Sequence, residues 1–351
     1  MHYGVGETKD RWVGGDAVAV TMRDVARHAG VSPKTVSNVM NGYPYIREET
    51  RIKVLASIDA LGYQMNISAR NLKSGRTGII GLAVPELSNP YFAELADAAI
   101  AAAGEHGLTV MIETTNADRE RELTALARPR GHLVDGLLYS PLGLGPEDVE
   151  QLRTPTPMVL LGERIFHGPV DHVMIDNVEG TKAVIRHLLD QGRRRIAVIG
   201  IRPGEKVGTA AIRYGAYAET LTEYGVPVPE QLAVSGGKWH RSSGADAMEE
   251  LLATGQKFDA VFALNDTLAL GAVRALTAHG IRIPDDVAVA GFDNIDEASY
   301  SSPTLTTVDP NRTQIARKAV ELLVQRMAGD DSEHQEIVAS YELHVRESTA
   351  G

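Results

Sequence analysis

The alternation of apolar and polar residues along positions 21–61 predicts three short helices joined by tight turns. Apolar residues recur every three or four positions, as on one face of a helix. Gly30 supplies the first turn. Ser32 is a good N-cap, and Pro33 is tolerated at the first helical position because its missing N–H has no intrahelical partner. The three apolar faces are formed by Met22, Val25, Ala26 and Ala29, by Val36, Val39 and Met40, and by Val54, Leu55, Ile58 and Leu61.

The outward face of the second helix is rich in hydrogen-bonding groups. Lys34, Thr35, Ser37 and Asn38 point away from its apolar side and can reach base edges and phosphates. Three such helices within about 40 residues make a DNA-binding head of the helix-turn-helix type. The pattern alone also fits an ordinary three-helix bundle.

From Thr77 onward, apolar runs typical of buried strands alternate with helical segments. The chain is α/β here, and two successive series predict two doubly wound parallel subdomains, the first series ending with a helix at Leu189. Ligands of such folds bind at the carboxyl ends of the strands, so a site is expected in the cleft between two facing lobes. The predicted strands cover about 78–84, 109–113, 136–139, 158–161, 173–176, 195–199, 232–235, 260–263 and 287–290, and the other predicted helices cover about 91–105, 209–223, 243–253 and a segment ending at 279.

Charge is divided unevenly along the 351 residues. The net charge is −11, yet residues 21–76 hold nine Lys/Arg and four Asp/Glu, a balance of +5. Residues 1–20 contribute −1, which leaves −15 for residues 77–351. A basic head joined to an acidic body places the affinity for phosphate in the head.

Several classes of protein are disfavoured by what the sequence lacks. There is no cysteine, hence no disulfide and no cysteine–zinc site, and no apolar run approaches about 18 residues. Residues 1–20 have no apolar core of a secretory signal; we interpret them as a disordered extension or a mis-assigned start, and expect a cytoplasmic protein. We find no G-x-S-x-G elbow and no Walker A loop, since GVGETK at 4–9 lacks the spacing and a preceding strand. We therefore expect no enzyme, catalytic residue, metal or cofactor.

Two motifs near the N-terminus, ARHAGVSPKTVSNVMNG and NISARNLKSGRTGIIG, occur in this order at the start of a regulator-sized chain. Together with SNPYFAELADAA, FALNDTLALGAVRAL and IPDDVAVAGFDN, they resemble the LacI/GalR (lac-repressor-type) family of transcription factors from Thr21 to about the C-terminus. The resemblance implies a periplasmic-binding-protein-like core with chain crossovers between its lobes. The predicted domains are an extension (1–20), a helix-turn-helix domain (21–64), a hinge helix and linker (65–76) and an effector-binding and dimerisation core (77–351).

The resemblance also implies how DNA is contacted. Pro33, Lys34 and Asn38 match positions that read the major groove, and Leu72 matches a leucine that wedges into the minor groove and kinks the duplex. Arg47 departs from the family, because the third helix usually begins with a capping hydroxyl. The predicted DNA-binding residues are Thr21, Ser32, Pro33, Lys34, Thr35, Ser37, Asn38, Asn41, Asn66, Ala69, Leu72 and Lys73.

Polar residues at two strand ends are candidates for the effector site. Asn265 ends the strand AVFALN and Asp293 ends VAVAGFD, where side chains face the cleft. Arg213 matches the effector-contacting arginine of the family, and an arginine facing a carboxylate suits vicinal hydroxyls. Asn265 could equally cap the following helix, although Asp266 is the favoured cap. The aromatic residues Tyr91, Phe92 and Trp239 match positions that cover the ligand, and packing is their alternative role.

Gly162 stands where several members place an aspartate. Glu163 follows it and either substitutes for that aspartate or points away; it completes the predicted effector set. This departure leaves the ligand class open between a sugar, which is favoured, and a nucleobase or nucleoside. We expect a homodimeric repressor on a pseudo-palindromic DNA operator, controlled by that ligand, with no membrane partner. The different-class alternative, a sugar-binding transport protein, should carry a signal peptide and no DNA-binding head.

Overall fold

The computed structural model describes residues 20–40, 42–63, 76–127 and 133–350, and the chain divides into two compact units, Met1–Gly75 and Arg76–Gly351. Helix bounds along the chain are α1 (Met22–Ala29), α2 (Pro33–Met40), α3 (Glu48–Leu61), α4 (Pro90–Glu105), α5 (Arg119–Ala127), α6 (Asn177–Asp190), α7 (Thr209–Glu223), α8 (Arg241–Ala253), α9 (Asp266–Ala278), α10 (Asp296–Tyr300) and α11 (Arg312–Met327). Strand bounds are β1 (Ile79–Val84), β2 (Thr109–Thr114), β3 (Gly136–Tyr139), β4 (Met158–Leu161), β5 (Asp171–Ile175), β6 (Ile196–Ile201), β7 (Ala233–Ser235), β8 (Ala260–Ala263), β9 (Ala288–Phe292), β10 (Thr306–Asp309), β11 (Glu336–Ala339) and β12 (Glu342–His344).

The first unit contains the three predicted head helices. Their apolar faces meet in one small core built from Val25, Ala26, Val36, Val39, Val54 and Tyr63. Thr21 closes a capping box with Asp24 at the start of α1, and Gly30 ends that helix at a φ of 67°, which favours glycine. The Ser32 hydroxyl accepts a hydrogen bond from the Thr35 N–H at 3.1 Å, which confirms the predicted N-cap of α2.

Helix α3 differs from its predicted face at one position. Leu55 is 51% exposed, whereas Ser57 is buried and lies 3.0 Å from His28 Nδ1 through its hydroxyl. A helix turns about 100° per residue, so Leu55 lies about 100° from Val54 and about 60° from Ile58, at the solvent edge of the apolar stripe. Assigning Leu55 to the buried face was therefore wrong. Arg47 precedes α3 without a side-chain capping bond, as its residue type predicted.

The second unit holds two six-stranded sheets, one in each lobe. The first lobe has the strand order β11-β5-β4-β3-β1-β2, and all of its pairings are parallel. The second has the order β12-β10-β9-β8-β6-β7, with β12 antiparallel to β10. Helices cover both faces of each sheet, because strands buried on both sides need two apolar helix layers. The two doubly wound α/β subdomains predicted from the sequence are confirmed.

The division of elements between the lobes differs from chain order. Helix α6, which the sequence pattern placed with the first series, packs on the second sheet through Val184, Ile185, Leu188 and Leu189. Helix α11 and strand β11 return to the first lobe after the second series is complete. The chain therefore passes between the lobes after β5, after β10 and after β11. The carboxyl ends of strands from both sheets border a common cleft. Within the described residues, no helix has the length and apolar character needed to span a membrane.

Candidate functional site

A cavity of about 390 Å³ lies between the two lobes, at the carboxyl ends of their strands. Pro85 and Glu86 follow β1, Gly162 follows β4, and Ile175 ends β5 on one side, as expected for a site in facing α/β lobes. Its walls carry every predicted effector residue except Asn265. Those residues are Tyr91, Phe92, Glu163, Arg213, Trp239 and Asp293.

Arg213 is the buried centre of the site. It projects from the first turns of α7 and is 1% exposed. Its Nε donates to Asn177 Oδ1 at 2.6 Å, its Nη1 donates to the Leu264 carbonyl, and its Nη2 lies 3.5 Å from Asp293 Oδ1. The guanidinium also lies 3.5 Å from the centroid of the Phe292 ring. Contacts on every side fix this cation in one orientation, with its Asp293 edge toward the cavity.

Asp293 occupies a strained position at the end of β9. Its φ is +118°, a conformation that costs an L residue about 1–3 kcal/mol and that surrounding contacts must hold. Arg312 supplies them, since its guanidinium donates to the backbone carbonyls of Asp293 and, at 2.8 Å, of Asn294. Burial raises the pKa of Asp293 to about 7, while the Arg213 guanidinium acts in the opposite direction.

Asp293→Asn is expected to flatten the pH dependence of the core's stability. An unfolded aspartate releases its proton near pH 4, whereas the folded protein holds it to about pH 7. The free energy of unfolding should therefore fall as pH rises through that window, by at most about 1.4 kcal/mol per pH unit. Burial also raises the pKa of Asp266, to about 6, but this carboxyl is common to both proteins. Urea unfolding from about pH 5 to 8 should show the variant gaining stability relative to the parent; parallel profiles would contradict the buried acid.

Asn265 caps helix α9 next to the cavity but does not line the cavity wall. It is fully buried, and its Oδ1 accepts from the Leu268 N–H at 2.9 Å, which makes it the N-cap of α9. The preference for Asp266 as the cap was therefore wrong; the Asp266 carboxylate instead accepts from Ile295 N and the Thr307 hydroxyl. A strand-end amide and a helix cap have the same sequence signature, so the pattern alone did not separate the two roles.

The aromatic residues line the cavity from both lobes. In the first lobe, Tyr91 and Phe92 begin α4 and meet edge to face, with ring centroids 5.2 Å apart. In the second, Trp239 donates from Nε1 to the Gly200 carbonyl at 3.0 Å. Thr267 donates at 2.6 Å to the backbone carbonyl of Trp239, which fixes this residue further. These contacts give the cavity rigid apolar surfaces beside its charged groups.

Several residues that join the lobes carried no sequence signal. Arg164 donates to Leu144 O in its own lobe and, across the cleft, to Val207 O at 2.7 Å and Glu205 Oε1 at 3.1 Å. Glu86 and His240 lie 3.2 Å apart across the same cleft. These contacts are specific to the lobe arrangement, and chain order gives no periodicity from which to predict them.

A second set of contacts between the lobes involves α4, α10 and α11. Glu94 on α4 accepts from the Asp296 N–H at 3.0 Å and pairs with Arg312 at 2.8 Å. Arg312 also donates to the backbone carbonyl of Asp293. A change in the distance between the lobes would therefore alter the contact that holds this strained residue. Arg312 was not among the predicted site residues.

In the head, the predicted recognition face of α2 is accessible. Ser32, Pro33 and Lys34 are exposed, while Thr35, Ser37 and Asn38 are half-buried on the same helix. Thr21 is exposed at the start of α1. Residues 1–19, Asn41, Asn66, Ala69, Leu72 and Lys73 lie outside the described residues, as does the predicted hinge helix apart from Arg76. Their assigned roles stay predictions.

Comparison with known proteins covers both units. Residues 21–66 match the family described as bacterial regulatory proteins, lacI family, and residues 185–349 match a periplasmic binding protein-like domain. Catabolite control protein A from Priestia megaterium is 32% identical over 94% of this chain and 99% of its own length. The ribose operon repressor from Halalkalibacterium halodurans is 34% identical over 94% of this chain and 97% of its own.

Solved structures give the same picture. The lac repressor dimer bound to operator and the anti-inducer ONPF has a TM-score of 0.81 and 27% identity, covering 95% of this chain and all of that one. The complex of the transcriptional regulator CelR with cellobiose has a TM-score of 0.69 and 32% identity, covering 94% and 99%. In both, the match extends over nearly the whole chain.

Proposed function

Because the chain belongs to the lacI family of bacterial regulatory proteins, we propose that it is a repressor whose homodimer binds a pseudo-palindromic operator and whose cleft binds a sugar-like polyol. It is a DNA-binding transcriptional regulator, and its family consists of such regulators rather than enzymes. The finer assignments rest on the two sites described above. A single small head covers only a half-site, which favours two copies on a two-fold symmetric DNA.

The buried Arg213–Asp293 pair carries the proposal for the ligand. Its charged edges face a cavity with aromatic walls, and a guanidinium beside a carboxylate offers donors and acceptors to adjacent hydroxyls. The related regulator CelR is seen in complex with cellobiose, which supports a sugar here. Ligand contacts at Asp293 and Glu163 would act on both lobes and so transmit binding through the lobe contacts to the DNA-binding unit.

A nucleobase or nucleoside is the second candidate ligand. The flat rings of Phe92 and Trp239 on the cavity wall favour it, since planar bases bind well against aromatic faces. A nucleobase would use few of the acceptors around Asp293, whereas a polyol would use several. This difference makes the two classes separable by binding.

A thermal-shift screen of the purified full chain with sugars and nucleosides tests the ligand class. A ligand at about 100 times its Kd stabilises the native state by about 2.7 kcal/mol, which is a readily measured rise in Tm. We expect a sugar to raise Tm and to change operator affinity in a gel shift. Stabilisation by nucleobases alone would overturn the sugar assignment.

Footprinting upstream of the protein's own gene tests the dimer and should show symmetric half-sites. Tight binding of a strict monomer to one half-site would overturn the proposed dimeric binding.

A further inference from the structure

Glu163 brings a buried negative charge to the cavity wall. It follows β4, is 5% exposed and lines the cavity. Its Oε1 accepts from the Ile175 N–H at 3.1 Å, and its Oε2 accepts from the Thr209 hydroxyl of the other lobe at 2.8 Å. Both donors are neutral groups. They fix the orientation of the carboxylate across the cleft but bring no positive charge into contact with it.

The nearby cations are engaged elsewhere. Arg164, the next residue, is bound to Glu205 and to two backbone carbonyls. Arg213 pairs with Asp293 and donates to Asn177. Within residues 76–127 and 133–350, no Lys, Arg or His nitrogen lies within 4 Å of the Glu163 carboxylate in an ion pair. Among the described residues that line the cavity, Glu163 and Asp293 are thus two buried carboxylates, and Arg213, the one buried guanidinium, pairs directly with Asp293 alone.

The two carboxylates act on a common region. Both influence the ionisation of the Tyr91 hydroxyl and of Arg213, so all four groups surround the same part of the cavity. Glu86 is paired with His240 across the cleft, and Arg202 with Glu205 in its own lobe. Lys238 also lines the cavity but is exposed to solvent. A buried charge without a counter-ion is unfavourable unless a partner compensates it. This position therefore favours a ligand that carries a positive charge.

We propose that the effector is an amino sugar or related polyol bearing a protonated primary amine, with the ammonium bound by Glu163 and the hydroxyls by Arg213 and Asp293. This rests on the proposed sugar-binding function and makes Glu163 its specificity-determining residue. An ammonium offers three donors and the missing positive charge. A hydroxyl at the same place would supply a donor without the charge. An N-acetyl group would lack the charge and would also need more space.

The test compares matched ligands on the full chain by calorimetry at pH 7. Each set holds a neutral sugar, its 2-amino derivative and its N-acetylated derivative, in the glucose, galactose, mannose and cellobiose series. In at least one series we expect the amine to bind at least about tenfold tighter than both counterparts, as for a charge that meets a buried opposite charge. The proposal is overturned if no amine exceeds its neutral counterpart.

Glu163→Gln provides the variant test, because glutamine keeps the size and an acceptor while removing the charge. The amine preference, which is the ratio of the amine's affinity to that of the neutral sugar, should fall at least about tenfold. Glu150→Gln is the matched control: it lies in the same lobe, exposed and paired with Arg153, and should leave the preference unchanged. An unchanged preference in Glu163→Gln would overturn the assignment.

Failure of this inference is distinguishable from failure of the proposed function. If neutral sugars bind as tightly as amines and alter operator binding, the amine assignment is wrong and the sugar-responsive regulator stands. If only nucleobases or nucleosides bind, both are wrong.

Discussion

Asp293→Asn is expected to weaken effector binding by about 2–3 kcal/mol, or about 30- to 150-fold, and to remove the effector response of operator binding. The substitution keeps the shape of the side chain but takes away the carboxyl group that pairs with Arg213 and faces the cavity. Arg213→Lys should cause a loss of similar size, because one ammonium cannot meet Asn177, Leu264 and Asp293 together. Calorimetry with the sugar identified by thermal shift measures the affinity, and a gel shift measures the response.

Asp286→Asn is the matched control for this prediction. Asp286 also pairs with an arginine of the second lobe, Arg282 at 2.6 Å, but the pair is exposed at the surface. An exposed ion pair contributes little, so this variant should bind effector and operator like the parent. If Asp293→Asn and Arg213→Lys both bound the effector as the control does, the assigned cavity would not be the effector site.

Much of the fold was predictable because buried strands and amphipathic helices leave direct marks in a sequence. Met158–Leu161 and Ala260–Ala263 are short apolar runs that recur as β4 and β8 with the predicted bounds, and α7 spans Thr209–Glu223 as predicted. A parallel strand buried on both faces has to be apolar throughout, and few other structures require that. The small DNA-binding head followed for the same reason, from helical spacing and local capping.

What could not be predicted depends on contacts distant in the chain. Helix α6 has an apolar face that would suit either sheet, so its pattern does not predict which sheet it covers. In the structure it packs on the second sheet through Ile185 and Leu188. Asn265 ends a strand and caps a helix at once, and only the hydrogen bond to Leu268 N separates cap from ligand contact. Arg164 and Arg312 take their roles from partners in the opposite lobe. Such roles become visible once the lobes are placed face to face.

Val36→Asp is expected to abolish operator binding, with an affinity loss of at least about 100-fold, while effector binding stays unchanged. Val36 is fully buried in the small core of the head, against Val25 and Val54. A carboxylate there has no cation to pair with and replaces apolar contacts, a combination that destabilises by more than about 4 kcal/mol. A domain of this size has a small free energy of unfolding, so the head should unfold. The core forms a separate compact unit with its own apolar clusters and should keep its fold.

Leu55→Asp separates loss of the head's core from a general effect of added negative charge. It makes a comparable change at an apolar residue of the same head, but on the 51% exposed face of α3. Because its side chain is in contact with water, the new charge stays hydrated and the head should remain folded, with operator affinity reduced no more than about tenfold by repulsion of phosphate. Gel shifts measure both variants, circular dichroism reports helix loss in the head, and calorimetry reports effector binding. If Val36→Asp bound operator as well as Leu55→Asp does, the three-helix core would not be what presents Lys34 and Asn38 to DNA.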